Sequence, residues 1–279
     1  MSQELAPDIA GIHSAFAETE YGRRAAESIR YERYNLEGSS HEEWVALLGP
    51  DVNGLTHGPL TRQLAKSFIR HSQYLQPGLL NDSEEMLLEV TAIAHDWGEA
   101  IKGIGDTTYS DNTDEKKNKE KAELLANLDS FYEGGTDDVR ELILTGIQEV
   151  AFNSGGNEKL ARVFNAIERV GYVRTALRAA EVINSGQYPE HDAGLRWLIA
   201  DVFANQIAKL DEYAGDYAVV DLYLINQHHV ISEAFKMIGY EEFLNYENET
   251  QRSQKIKEFC DAQGVWFERA SRLRKLRKI

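Results

Sequence analysis

Residues 83–101 read SEEMLLEVTAIAHDWGEAI, an apolar run from Met86 to Ala94 that ends on adjacent His95 and Asp96. Apolar side chains recur there at spacings of three and four with no intervening proline, the pattern of a helix with a buried face. The spacing predicts a helix from Ser83 to Ile101, opened by Asp82 or Ser83 ahead of an acidic first turn. On such a helix Glu99 lies four residues after His95 and shares its face, so three ionisable side chains gather at one helix end. A single His beside an Asp is more often a satisfied structural pair than a reactive one, and other parts of the chain have to separate the two.

The same periodicity extends in both directions. It predicts helices at Thr61 to Gln73, Asp114 to Tyr132, Asp137 to Phe152, Glu158 to Ile183, Leu195 to Leu210, Val219 to Ile238 and Thr250 to Leu276. Five prolines in 279 residues leave these runs unbroken, and the strand-like stretch Ala218 to Leu224 fits a helix equally well. The expected fold is all-α: an N-terminal helical segment (1–27), a helical core (28–190) and a C-terminal helical extension (191–279) packed on the core. No internal repeat or low-complexity tract interrupts this pattern.

Composition narrows the chemistry. With 30 basic and 46 acidic residues the formal charge is −16, which argues against duplex nucleic acid as a partner, because that binding rests on Lys and Arg neutralising phosphates. The exception is Arg269 to Ile279, with six basic residues and no acidic one, read either as a solvated helix end or as a contact for an acidic partner or another subunit. The single cysteine, Cys260, excludes an internal disulfide and a CxxC zinc site, so any metal must be held by His and carboxylates. No stretch has the apolar length of a membrane helix and the first twenty residues lack a signal-peptide pattern, so a cytoplasmic location is expected. Gly103-Ile104-Gly105 lacks the remainder of a dinucleotide fingerprint, there is no phosphate loop or nucleophile elbow, and His41-Glu42-Glu43-Trp44-Val45 has Val45 where a zincin needs its second His.

Two further features favour reactivity at the His-Asp pair. Gly105-Asp106 brings another carboxylate past the helix, followed by Lys116, Lys117, Lys119 and Glu120. His57 stands at the start of an amphipathic helix whose Leu60, Leu64, Ala65 and Phe68 face inward. The set His57…His95-Asp96-x-x-Glu99…Gly105-Asp106…Glu120 resembles the HD superfamily of metal-dependent phosphohydrolases, in particular its 5′-deoxynucleotidase branch, over roughly residues 28–185.

The resemblance implies a helical bundle with His57, His95, Asp96 and a later carboxylate as metal ligands. The family's final Asp is absent where expected, and Phe164 to Tyr172 offers Glu168 in its place, with Asn165 as the alternative. His71 is the other candidate for the first His, but it ends its helix whereas the family presents this ligand from a helix start. His13, His41 and His191 have no partner pattern and are expected at the surface, and His228-His229 point too far apart on a helix to ligate one ion.

The implied roles are Glu99 to orient or deprotonate the attacking water and Asp106 as a second acid/base group. Two imidazoles and two carboxylates suit Mn, Co, Fe, Ni or Zn better than Mg. An anionic substrate needs local positive charge, for which Arg33, Arg62, Lys102 and Lys116 are candidates, Arg33-Tyr34 being similar to an Arg-aromatic pair of the branch. Trp97 and Tyr109 are available to stack on a base or simply to pack.

The expected activity is phosphate release from a small-molecule nucleotide, most concretely by a 5′-nucleotidase acting on (deoxy)nucleoside monophosphates. The alternatives are a nucleoside triphosphate or alarmone hydrolase and, in another class, a non-catalytic HD module that binds a nucleotide or protein partner. A homo-oligomer is expected by analogy alone.

Overall fold

The computed structural model describes residues 8–101, 114–132, 136–153 and 156–276. Among these residues are twelve α-helices and no strand, as the periodicity predicts: α1 (Ile9–Glu18), α2 (Glu20–Glu27), α3 (His41–Leu48), α4 (Gly54–Leu75), α5 (Asp82–Ala94), α6 (Asp114–Phe131), α7 (Asp137–Thr145), α8 (Glu158–Ser185), α9 (Asp192–Asp216), α10 (Ala218–Asn226), α11 (His228–Met237) and α12 (Glu249–Leu276). One isolated antiparallel bridge joins Ile29 to Asn53.

Side-chain caps set several helix starts. Asn81, rather than Asp82 or Ser83, caps α5: its side chain accepts from the Glu84 amide at 3.1 Å while the Glu84 carboxylate accepts from the Asn81 amide at 2.9 Å. Ser40 and Glu43 form the same reciprocal box on α3. Helix α4 begins well before the predicted Thr61 because Asn53 Oδ1 accepts from the amides of Leu55 at 2.9 Å and Thr56 at 3.3 Å. Pro59 lies early in α4, where it gives up a single helical N–H.

Three predicted helices are interrupted. Helix α5 stops at Ala94, and Trp97–Ala100 forms a 3-10 turn. Helix α7 passes into a single π turn at Gly146–Ala151, where a Cβ on Gly146 would stand 2.6 Å from Thr91 Oγ1 of α5. The Val219 to Ile238 run breaks at Gln227 into α10 and α11.

The chain forms two compact units, and their boundaries differ from the three-part division drawn along the sequence. Unit 1 comprises Met1–Arg30, Pro50–Arg70 and Gly78–Ile167, and unit 2 comprises Tyr31–Gly49, His71–Pro77 and Glu168–Ile279. In unit 1 the core gathers Ile12 and Phe16 of α1, Val90, Ile93 and Ala94 of α5, Leu124 and Phe131 of α6, and Ile143 and Ile147. Trp97 joins this core with its ring stacked on Phe16 at 4.4 Å, so it packs and does not present a face to a base.

In unit 2, α9 is buried around most of its circumference from Leu195 to Leu210 and α12 packs along it. Phe203, Phe235, Phe259 and Phe243 form a chain of ring contacts at 4.7, 5.5 and 5.4 Å. The basic tail begins inside this unit. Arg269 is buried and donates to Asp211 at 2.7 Å and to Asp221, so its charge is met within the chain and not by solvent or an external partner. Arg277 and Lys278, and the side chains of Arg274 and Lys275, lie outside the described residues.

Candidate metal centre

The unit 1 helices bring the two histidines together through a close backbone approach. Beside His57, Gly58 places α4 so near α5 that an added Cβ would lie 2.6 Å from the Ile93 carbonyl oxygen. His57 and His95 then stand with ring centroids 5.2 Å apart, both buried. Phe164 closes one side, edge-on to His95 at 5.1 Å. Glu168 lies on α8, on the residue after Ile167, the last of unit 1. Ligand atoms of His57, His95 and Glu168 all fall within 4.8 Å of one another, a cluster that could hold a metal ion.

The hydrogen bonds decide which ring nitrogens carry lone pairs. His57 Nδ1 is 2.9 Å from Asp51 Oδ1, and an ionised carboxylate can only accept, so the proton sits on Nδ1. His95 Nδ1 is 3.1 Å from the Ala92 carbonyl oxygen, which fixes the same tautomer. Both Nε2 atoms are therefore lone-pair donors, and both turn toward Asp96: His57 Nε2 is 3.4 Å from Oδ2 and His95 Nε2 is 3.3 Å from Oδ1. The Thr61 hydroxyl lies 3.2 Å from His57 Nε2. Nitrogen and oxygen lone pairs facing one another at this range call for a positive charge among them, which a proton on Nε2 or a metal ion supplies, and the cluster could hold such an ion.

Asp96 is placed by the end of α5. His95 is the C-cap residue and keeps helical angles, while Asp96 turns away from them (φ −100°, ψ 9°) into the 3-10 turn. The continuous helix expected to align His95 with Glu99 is thus absent. Glu99 instead reaches the site through Arg30, whose Nη1 donates to Asp96 Oδ2 and, at 3.1 Å, to Glu99 Oε2. Arg30 is buried and fixed by its backbone, which donates to the Val52 carbonyl at 2.7 Å next to the Ile29–Asn53 bridge. Burial alone would raise the Asp96 pKa, but positive charge at the site, a proton on either imidazole Nε2 or the Arg30 guanidinium, and the Arg30 hydrogen bond outweigh it and hold the carboxyl well below the usual carboxylate range.

Other predicted site residues fall elsewhere. His71 is exposed and outside the cluster, which takes His57. The Asn165 side-chain amide donates to the Ala161 carbonyl at 2.8 Å on its own helix. Arg62 is paired with Glu89 at 2.8 Å, so its charge is already met. Arg33 belongs to unit 2, where its guanidinium lies 5.0 to 5.4 Å from the ring centroids of Trp197, Tyr34 and Tyr246. His13, His41 and His191 are half-buried, not at the open surface, and His191 lies 3.2 Å from the Ser39 hydroxyl. Asp106, Lys102, Tyr109 and the side chains of Lys116 and Glu120 lie outside the described residues.

Sequence reasoning missed Arg30 and Asp51. The signal for Arg30 was the doubled Arg-Tyr in Arg30-Tyr31-Glu32-Arg33-Tyr34, of which the second pair was chosen. Asp51 precedes α4 in a segment with no helical period, and no pattern in the sequence points to it. No family model, no curated protein and no solved structure matches this chain.

Proposed function

We propose that the protein is a metal-dependent phosphohydrolase of the HD type that releases phosphate from a nucleotide, most concretely a 5′-nucleotidase acting on (deoxy)nucleoside monophosphates. The observation that supports this reading is the cluster of two buried imidazoles, His57 and His95, with the Glu168 carboxylate, and Asp96, outside that cluster of three, lies 3.4 and 3.3 Å from the two Nε2 atoms. When bound, a divalent transition ion (Mn, Co, Fe, Ni or Zn) supplies Lewis acidity toward a phosphate oxygen and acidifies a water. His57, His95, Asp96 and Glu168 hold that ion, while Asp51 and the Ala92 carbonyl keep the two imidazoles in the ligating tautomer. Arg30 clamps Glu99 beside Asp96, and Glu99 takes the proton of the attacking water.

One observation favours a second reading, a module of the same type that binds without turnover: the Arg30 guanidinium pairs with Asp96, so the chain itself meets part of that carboxylate's charge. Metal analysis and product release separate the two. Protein reconstituted with each ion should carry close to one equivalent and release phosphate from nucleoside monophosphates, with Asp96→Asn lowering turnover by more than about a hundredfold. Pyrophosphate or triphosphate as product would move the assignment to the triphosphate or alarmone hydrolases. No retained ion and no turnover across mono- and triphosphates would overturn the hydrolase.

A further inference from the structure

Unit 2 holds a second polar site with no part in the metal centre. Between α8 and α10 is a pocket of about 260 Å³ lined by Arg174, Leu177, Arg178, Glu181, Tyr223 and Gln227. Arg174 and Arg178 stand four residues apart on α8, a spacing at which like charges repel along a helix. Arg178 is engaged: its Nη1 donates to Glu181 at 3.2 Å and its Nε to the Leu47 carbonyl at 3.2 Å. Arg174 has no hydrogen-bond or ion-pair partner among the described residues, although the chain as a whole carries −16.

The opposite wall supplies an independent observation. The Tyr223 hydroxyl is buried and has no hydrogen-bond partner among the described residues. Burial raises its pKa, with Arg174 acting in the opposite direction, so the phenol is a neutral donor at neutral pH. A buried hydroxyl without an acceptor is unfavourable, while Arg174 is exposed and keeps a solvated charge beside a second arginine, free to meet an anion at the pocket. One ligand serves both: an anion whose oxygens accept from the phenol and meet the Arg174 guanidinium. The sole carboxylate in the lining, Glu181, is committed to Arg178, which leaves the donor set dominant.

We infer that the α8–α10 pocket binds the phosphate group of a small molecule, Arg174 and Tyr223 gripping its oxygens and Arg178 and Gln227 completing the wall. Donors from two helices suit a tetrahedral phosphate with three terminal oxygens better than a planar carboxylate with two. The pocket volume falls just below the range of small-molecule sites, room for a phosphate with a compact organic group attached.

The test is a calorimetric titration of chelator-treated full-length protein with inorganic phosphate, with glycerol phosphate and with acetate, so that no ion contributes. Saturable binding of one phosphate-bearing ligand per chain is expected. Arg174→Ala should weaken it by roughly tenfold or more and Tyr223→Phe by roughly tenfold, the worth of one charge-assisted hydrogen bond. Tyr223→Phe should leave the unliganded melting temperature unchanged or raised, because it removes a hydroxyl that lacks an acceptor. Arg62→Ala, outside the pocket, should leave the binding intact. Tighter binding of the ester identifies an organic phosphate, and equal binding identifies phosphate itself; both support the site. Acetate binding as tightly as phosphate, no saturable binding, or binding indifferent to both pocket substitutions would overturn it. None of these outcomes depends on whether the metal centre is catalytic.

Discussion

Two carboxylates of this protein, Asp201 buried and Asp96 half-buried, stand in opposite surroundings. Asp201 in unit 2 faces donors: it accepts from the hydroxyls of Tyr34 and Tyr246 and from the Asn205 amide at 3.1 Å, with Lys255 Nζ 3.6 Å away. Asp96 in unit 1 accepts from Arg30 and, among the described residues, otherwise faces the Nε2 atoms of two imidazoles. The first environment is complete as it stands and pushes both tyrosine pKa values up, by burial first and then by the neighbouring charge. The second is rich in acceptors beside a cluster that could hold a metal ion. Burial and charge alone do not distinguish a structural carboxylate from a ligating one, whereas the balance of donors and acceptors around it does.

The contrast can be broken most directly by exchanging the perturbations. Asp201→Ala takes the shared acceptor from the hydroxyls of Tyr34 and Tyr246, Lys255 keeping Glu258 at 3.0 Å, and should cost about 2–4 kcal/mol of unfolding free energy in urea titrations while metal stoichiometry stays intact. His95→Gln should do the reverse: metal affinity falls by more than about a hundredfold, beyond the loss of an outer-shell partner, and the stability of chelated protein moves by under about 1 kcal/mol. Loss of metal in the first variant without loss of stability would remove the distinction.

A smaller effect sharpens the geometric half of the contrast. Gly58→Ala puts a methyl group against the Ile93 carbonyl and forces α4 away from α5, so it should cost about 1–3 kcal/mol and weaken metal binding although no ligand is changed. Equilibrium dialysis with Co or Zn alongside thermal melts would read both.

The smallest effect concerns Glu84, which closes the cap of α5 and pairs with Lys159. Burial pushes its carboxyl up, but the Lys159 hydrogen bond, the Asn81 amide and the Lys159 charge outweigh it and hold the pKa below its ordinary value. A depressed folded value contributes stability above the unfolded pKa of about 4.3, and that contribution disappears as pH falls through the lower folded value. Glu84→Gln should therefore cost about 1 kcal/mol at neutral pH, and its stability should converge on that of the parent below about pH 4. A constant difference across the acid range would show that the lost charge is not the cause.

How far the sequence was legible follows the range of the forces involved. Helix positions could be read because the apolar repeat of residues such as Met86, Val90 and Ile93 is a local property of three and four residue spacings. Breaks at Asp96, Gly146 and Gln227 could not, because the 3-10 and π turns answer to packing, Trp97 on Phe16 and Gly146 on Thr91. The adjacency of His95 and Asp96 was visible directly, and His57 and Glu168 were reached through a resemblance.

The sequence by itself determined an all-helical chain, an acidic surface, the absence of thiol ligands and a His-Asp pair at the end of an apolar helix. Tertiary structure alone decided that Arg30 pairs with Asp96 and Asp51 with His57, that Arg62 is held by Glu89, and that Asp201 is ringed by donors while Asp96 faces two imidazoles. Periodicity arises within a few residues of one helix. The charge and hydrogen-bond balance at an atom sums over neighbours that may stand 66 residues away along the chain, as Arg30 does from Asp96, and it exists once the helices have packed.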